Sequence, residues 1–265
     1  MNETALITGA SSGIGAAFAE ALAGRGFDLV LTARRSRRIE ELARRLNRTY
    51  RIRIETIPAD LNLVRDVKML ERVFATHGVT WLINNAGFGL RGSFDQIPIE
   101  NILRMADVHM TAVLRLTRAA IPVMRDRGHG VIIQVASMAA FTPSPGSGIY
   151  SATKAFLVSF SETLAKDLRG TGIKVQALCP GLTVTEFHNT PEYKEFRRDR
   201  VPKILWMSAE KVVKLSLQAV HSNKTIVVPG WINRLFLILI RIPGVAALVW
   251  RVFEHRKRKI FRSGA

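Results

Sequence analysis

Tyr150 and Lys154 stand four residues apart at the start of a stretch, 151–168, whose apolar spacing is helical. Both side chains therefore fall on one helix face, one turn apart. An ammonium beside a phenol favours the phenolate and lowers the tyrosine pKa from its ordinary value of about 10. A phenol tuned in this way exchanges a proton with a carbonyl or alcohol oxygen near neutral pH. Ser137 follows the apolar run 131–136, which reads as a strand. It thus marks a strand's carboxyl end, the edge where open α/β sheets bind ligands.

A second constellation opens the chain. Apolar residues 4–8 run into Gly9, Ala10, Ser11, Ser12, Gly13, Ile14 and Gly15, and residues 16–23 then read as helix. Glycines here permit a tight turn and close backbone approach to a pyrophosphate, and the helix N-terminus that follows attracts the anion. A plain glycine-rich turn is the alternative. In dinucleotide folds an acidic residue about 20 positions further on binds the ribose hydroxyls, whereas an arginine accepts a 2′-phosphate. The run 28–33 ends in Arg34 and Arg35, with no carboxylate at that point. A guanidinium there favours NADP(H) over NAD(H), with Arg34 the principal contact and Arg35 an accessory. A solvated basic helix start is the alternative.

Positioning these groups requires alternating elements. Strands are predicted at 4–8, 28–33, 54–58, 81–84, 131–136, 174–178 and 225–228, and helical periodicity at 36–50, 99–124, 151–168 and 209–222. This alternation implies an α/β fold, a single Rossmann-type, doubly wound parallel sheet with helices on both faces. The 265 residues suit one domain over 1–230, with a polar, proline-punctuated lid at 183–207 and an extension at 231–265.

With 48% apolar and 23% charged residues the chain is not disordered. Its one cysteine, Cys179, excludes an intramolecular disulfide framework and fits a reducing compartment. No secretory signal opens the chain, so a cytoplasmic location is expected. The formal charge of +18 would alone suggest nucleic acid, anionic membrane or an anionic ligand. It is localised, however, with +7 in residues 34–53 and +7 in residues 231–265. The first block fits a 2′-phosphate site followed by a solvated helix face. The second joins apolar runs, broken at Arg241 and Pro243-Gly244, to a basic cluster from His255 to Lys259. That pattern suits peripheral contact with an anionic membrane rather than a spanning helix, with a subunit-contact segment as the alternative. No nucleic-acid reading motif accompanies the charge, so no such partner is expected. His77, His129, His188, His221 and His255 lack ligand spacing, so no metal is expected.

Taken together the motifs resemble the short-chain dehydrogenase/reductase family over about residues 4–230. The resemblance rests on the loop from Thr8 to Gly15, Asp60-Leu61, Asn84-Asn85-Ala86-Gly87, Ser137, Tyr150-Ser151-Ala152-Thr153-Lys154 and Cys179-Pro180-Gly181. It implies strand order 3-2-1-4-5-6-7 and an NADP(H)-dependent oxidoreductase interconverting a carbonyl and an alcohol. It also implies a dimer or tetramer built on the long fourth and fifth helices. Tyr150 would be the acid in reduction or the base in oxidation, Lys154 would hold the nicotinamide ribose, and Ser137 would hydrogen-bond the substrate oxygen. Asp60 and Leu61 would meet the adenine, and Asn85, Ala86 and Gly87 the adenosine ribose. Pro180, Gly181 and Thr185 would clamp the nicotinamide end, with Thr183 also binding cofactor.

One position departs from the family. Many members carry an asparagine in the fourth helix that helps hold a water linking the lysine to solvent; His109 replaces it here, in Val108-His109-Met110-Thr111-Ala112. Either His109 is a packed space-filler, or it holds that water and adds a group that titrates near neutral pH. On the substrate side, Phe187, Tyr193, Phe196, Trp206 and Met207, with Phe88, Met138 and Phe141, favour an apolar ketone or alcohol such as a lipid, steroid or acyl chain. Ordinary lid packing is the alternative, and Arg197, Arg198, Arg200 and Lys203 could meet an anionic carrier group. A nucleotide-binding scaffold without catalysis is the competing function, against which Ser137, Tyr150 and Lys154 argue.

Overall fold

The computed structural model describes residues 3–245 except Glu195, Asn223 and Pro243. In chain order the regular elements are β1 (Thr4–Thr8), α1 (Gly13–Ala23), β2 (Asp28–Ala33), α2 (Ser36–Tyr50), β3 (Ile54–Pro58), α3 (Val64–His77), β4 (Val79–Asn84), α4 (Ile99–Ala106) and α5 (Ala112–Asp126). They continue with β5 (Gly130–Val135), α6 (Gly148–Asp167), β6 (Ile173–Leu178), β7 (Thr183–Val184), β8 (Met207–Ser208), α7 (Ala209–Ala219), β9 (Ile226–Val227) and α8 (Trp231–Leu239). Seven strands form a parallel sheet in the order β3-β2-β1-β4-β5-β6-β9, the Rossmann-type arrangement expected.

The two-residue period of the strands explains why helices cover both faces. Ala5, Ile7, Leu29, Leu31, Trp81, Ile83 and Ile133 point to one face, where α1, α2 and α7 pack. Leu6, Val30, Leu82 and Ile132 point to the other, under α3, α5 and α6. In α2 the buried side chains are Ile39, Ala43 and Leu46, one stripe of an otherwise arginine-rich helix. The basic block at 34–53 is thus partly the solvent face of α2.

Among the regions that differ from the sequence expectation, two lie beside the site. The helix expected at 99–124 is interrupted by a π turn over Asp107–Thr111, centred on His109. The segment expected as a lid is bracketed by β7 and β8, which pair with each other in parallel, and runs between them through short 3₁₀ turns. α8 begins one residue past the expected domain end at 230. It packs on the domain, with Leu237 buried and the Asn233 amide donating to the Pro229 carbonyl at 2.8 Å. No helix among the described residues is long and apolar enough to cross a membrane. The basic cluster His255–Lys259 lies outside the described residues.

Candidate active site

The carboxyl ends of six sheet strands open into one cavity of about 1480 Å³. It is lined by Gly9 after β1, Arg34 after β2, Asp60 after β3, Asn85 after β4, Ser137 after β5 and Pro180 after β6. The strand order reverses between β1 and β4, the switch point at which such sheets bind ligands.

At one end the chain forms an anion cradle. Gly9 and Gly13 take left-handed φ of +67° and +58°, which side chains disfavour. A Cβ on Gly15 would run into the Gly9 carbonyl and the Asn85 amide, so the helix–loop approach requires glycine there. The Asn85 amide donates to the Thr8 carbonyl at 2.9 Å and the Gly9 carbonyl at 3.2 Å, bracing the loop. The Thr8 hydroxyl accepts the Asn85 and Ala86 backbone N–H groups, each at 3.0 Å. Ser12 caps α1 without a side-chain bond, leaving the first N–H groups of the helix unclaimed by a capping side chain. The cradle fits a dinucleotide pyrophosphate. Ser11, Ser12, Gly13 and Ile14 line it, with Arg34, Arg35, Asp60, Leu61, Ala86 and Gly87. Asp60 Oδ1 accepts from the Asn62 N–H at 3.0 Å and the Asn62 amide at 2.8 Å. Burial opposes its ionisation, but these bonds, with Arg34 and Arg104 nearby, hold the carboxyl below its ordinary range.

At the other end stand Ser137, Tyr150 and Lys154. Lys154 is buried, donates to the Val135 carbonyl at 2.8 Å, and lies 5.7 Å from the Tyr150 ring centroid. Burial pushes its pKa down to about 8. Burial pushes the Tyr150 phenol up to about 12, with the Ser137 hydrogen bond pulling the other way. The expected lowering by the lysine is not what sets the shift: desolvation of the phenol dominates and raises it, opposed only by the Ser137 bond. Ser137 also caps a short 3₁₀ turn, its hydroxyl accepting the Ala139 N–H at 3.1 Å.

His109 is buried behind Tyr150 and lines no part of the cavity. Its Nε2 accepts the Phe88 N–H at 3.1 Å. Its Nδ1 lies 2.9 Å from the Thr153 hydroxyl, which itself donates to the Tyr150 carbonyl at 2.9 Å. The Thr153 proton is thus committed, so Nδ1 donates and the ring is the neutral Nδ1–H tautomer. Burial, with Lys154 nearby, holds its pKa well below 6.5. Of the two expectations for His109 the geometry fits the packed one rather than the titrating, water-holding one: both ring nitrogens are engaged by protein groups. The imidazole ties the Phe88 loop to α6, and Gly87 makes room for it, since a Cβ there would meet Nε2 at 2.8 Å.

The remaining wall is aromatic. Phe88, Met138, Phe187, Tyr193, Phe196 and Phe236 line it. Phe141, Trp206 and Met207 do not, and of the lid cations considered only Arg200 does. Pro180, Gly181, Thr183 and Thr185 line the cavity as well. Five further residues line the cavity with no local sequence signal for that place. His188 lies among Phe187, Tyr193, Phe196 and Trp206, its pKa pushed down to about 4 by burial and Arg198. Ile232, Asn233 and Phe236 of α8 complete the wall, and Asn233 lies against Gly181. Glu186 reaches back to Arg35 and to Arg38 of α2.

The family model for short chain dehydrogenases matches residues 3–195. The chain belongs to that family. As a short-chain dehydrogenase it is an NAD(P)-dependent oxidoreductase. It is 38% identical over 194 residues to sulfoacetaldehyde reductase 2 of Chromohalobacter salexigens, covering 71% of this chain and 75% of that one. Its fold matches a short-chain dehydrogenase from Sphingobium yanoikuyae in complex with NADPH, with TM-score 0.80, 32% identity and coverage of 99% and 98%. It also matches a bulky-bulky ketone specific alcohol dehydrogenase from Comamonas testosteroni, with TM-score 0.77, 32% identity and coverage of 99% and 96%.

Proposed function

We propose that this short-chain dehydrogenase is an NADP(H)-preferring carbonyl reductase for ketones bearing apolar groups, with Tyr150 as its proton donor. The observation that carries the reading is the meeting of Ser137, Tyr150 and Lys154 at the end of a cavity whose wall is aromatic. The similarity to a ketone-specific dehydrogenase and to an NADPH complex supports it.

The cofactor, when bound, supplies the hydride. The chain's own residues position and protonate. The Ser137 and Tyr150 hydroxyls offer two donors to one carbonyl oxygen, polarising it and fixing its distance. A phenol with pKa near 12 holds its proton at neutral pH and yields it only to a stronger base, such as the alkoxide-like oxygen of a reducing carbonyl. Lys154 places a cation beneath the ring and against the ribose position. Ser11, Ser12 and the α1 N-terminus would hold the pyrophosphate, Arg34 and Arg35 the 2′-phosphate, and Asp60 and Leu61 the adenine.

Steady-state assays of aryl and long-chain ketones against short polar aldehydes, each with NADPH and NADH, test the reading. Highest kcat/KM is expected for bulky apolar ketones with NADPH. A preference for small anionic carbonyls, or for NADH, would overturn the substrate or the cofactor part respectively.

A further inference from the structure

One carboxylate joins the two ends of the cleft. Glu186 Oε2 lies 2.9 Å from Arg35 Nη1, and Glu186 Oε1 and Oε2 lie 2.7 and 2.8 Å from Arg38 Nη1. Arg35 reaches on to the phosphate-loop hydroxyls, donating to Ser11 Oγ at 3.1 and 2.8 Å and to Ser12 Oγ at 2.8 Å. The segment bearing Glu186 lies across that loop, because a Cβ on Gly13 would meet Thr185 Cγ2 at 3.0 Å. The hydrogen bonds from Arg35 and Arg38 hold the Glu186 carboxyl below its ordinary range, so it is an anion at neutral pH.

The three side chains are about half exposed, so the bridge adds little to stability. Its location matters more. Two guanidiniums converging on one oxyanion make the contacts a phosphate would make. Arg35, at the junction of β2 and α2, lines the cavity where a cofactor 2′-phosphate is expected; Arg38, one turn on, lies outside the lining and anchors the carboxylate from behind. The next residue, Phe187, has its ring centroid 5.8 Å from that of Tyr150.

We propose that Glu186 is an internal anion that holds Arg35, anchored by Arg38, and that the 2′-phosphate of NADP(H), seated on Arg34 and Arg35, displaces it from Arg35. It is thereby a specificity residue for the phosphorylated cofactor, and its release frees the segment that carries Phe187 against Tyr150. The inference rests on the NADP(H) reading above. A cofactor lacking the 2′-phosphate leaves the bridge in place.

Calorimetric titration of the full chain with adenosine 2′,5′-bisphosphate and with 5′-AMP tests it, using the wild type and Glu186→Gln. The wild type is expected to bind the bisphosphate more tightly than AMP. In E186Q the bisphosphate should tighten about fivefold, as for loss of a competing exposed ion pair, with AMP unchanged. Amide hydrogen exchange at 186–190 should speed up when the wild type binds the bisphosphate and not when it binds AMP. If E186Q leaves bisphosphate affinity unchanged or weaker, or shifts both ligands equally, or if exchange does not respond, the proposal fails while the NADP(H) reading stands. If the wild type does not distinguish the two ligands, the NADP(H) reading fails and the proposal with it.

Discussion

Tyr150→Phe is expected to lower kcat for carbonyl reduction by about 10²–10⁴-fold, the contribution of a positioned general acid, with NADPH affinity unchanged. The other titratable groups at this end of the cavity are poor substitutes. Lys154 lies 5.7 Å from the Tyr150 ring centroid with one of its three N–H groups on the Val135 carbonyl, and His188, with a pKa near 4, carries no proton to give at neutral pH. Phenylalanine keeps the ring that packs 6.0 Å from His109 and 5.8 Å from Phe187, centroid to centroid, so the wall survives the change. Steady-state kinetics and fluorescence titration with NADPH separate the two effects. A loss of less than about tenfold would mean that another group delivers the proton.

Lys154→Met is expected to abolish activity and yet stabilise the protein. Burial lowers the lysine pKa from 10.5 to about 8, so at pH 7 the folded state carries a charge it would rather shed. The unfolded chain binds more protons than the native one between those values, so wild-type stability rises with pH across that window. Below pH 8 the penalty is about 3 kcal/mol. Methionine fills similar volume without charge, and loss of the donor to the Val135 carbonyl takes back about 1 kcal/mol. The net gain of about 2 kcal/mol should appear as a Tm several degrees higher at pH 7. The advantage should shrink above pH 8, vanish near about pH 10, and reverse by about 1 kcal/mol well above pH 10.5, where the wild-type lysine is neutral in both states and only the lost Val135 bond counts. Thermal melts of both proteins at pH 7, 9 and 10.5 check this. A variant less stable than the wild type at pH 7, or a gain that does not change with pH, would contradict it. A buried cation retained at such a cost fits a functional group.

Much of the fold was legible in the sequence. β1, β2, β3 and α2 follow the expected bounds, because apolar period and flanking glycines or arginines mark their ends. The glycine loop, the strand-end residues and the Tyr150–Lys154 turn converge on one cavity, as their spacing implied. The expected elements lacked α3, although Val67, Leu70, Val73 and Phe74 give it a helical face. What was hidden depends on tertiary neighbours. The π turn at His109 is part of a region where the imidazole bonds Phe88 and Thr153, and no local spacing encodes those partners. The sign of the Tyr150 shift depends on burial, which spacing does not report. The Glu186 bridge joins residues 148 and 151 positions apart in sequence. α8 carries the same apolar signal whether it stands apart or, as here, walls the cavity.

Hydride would pass from NADPH held in the cavity to a carbonyl carbon beside the Tyr150 phenol. Incubation of the wild type with a bulky ketone and NADPH deuterated at the transferable C4 position, followed by mass spectrometry and NMR of the alcohol, tests it most directly. One deuterium at the carbinol carbon, on a single face, is the expected result, with the hydroxyl proton drawn from solvent. An alcohol without deuterium at that carbon, or deuterium on both faces equally, would contradict the account.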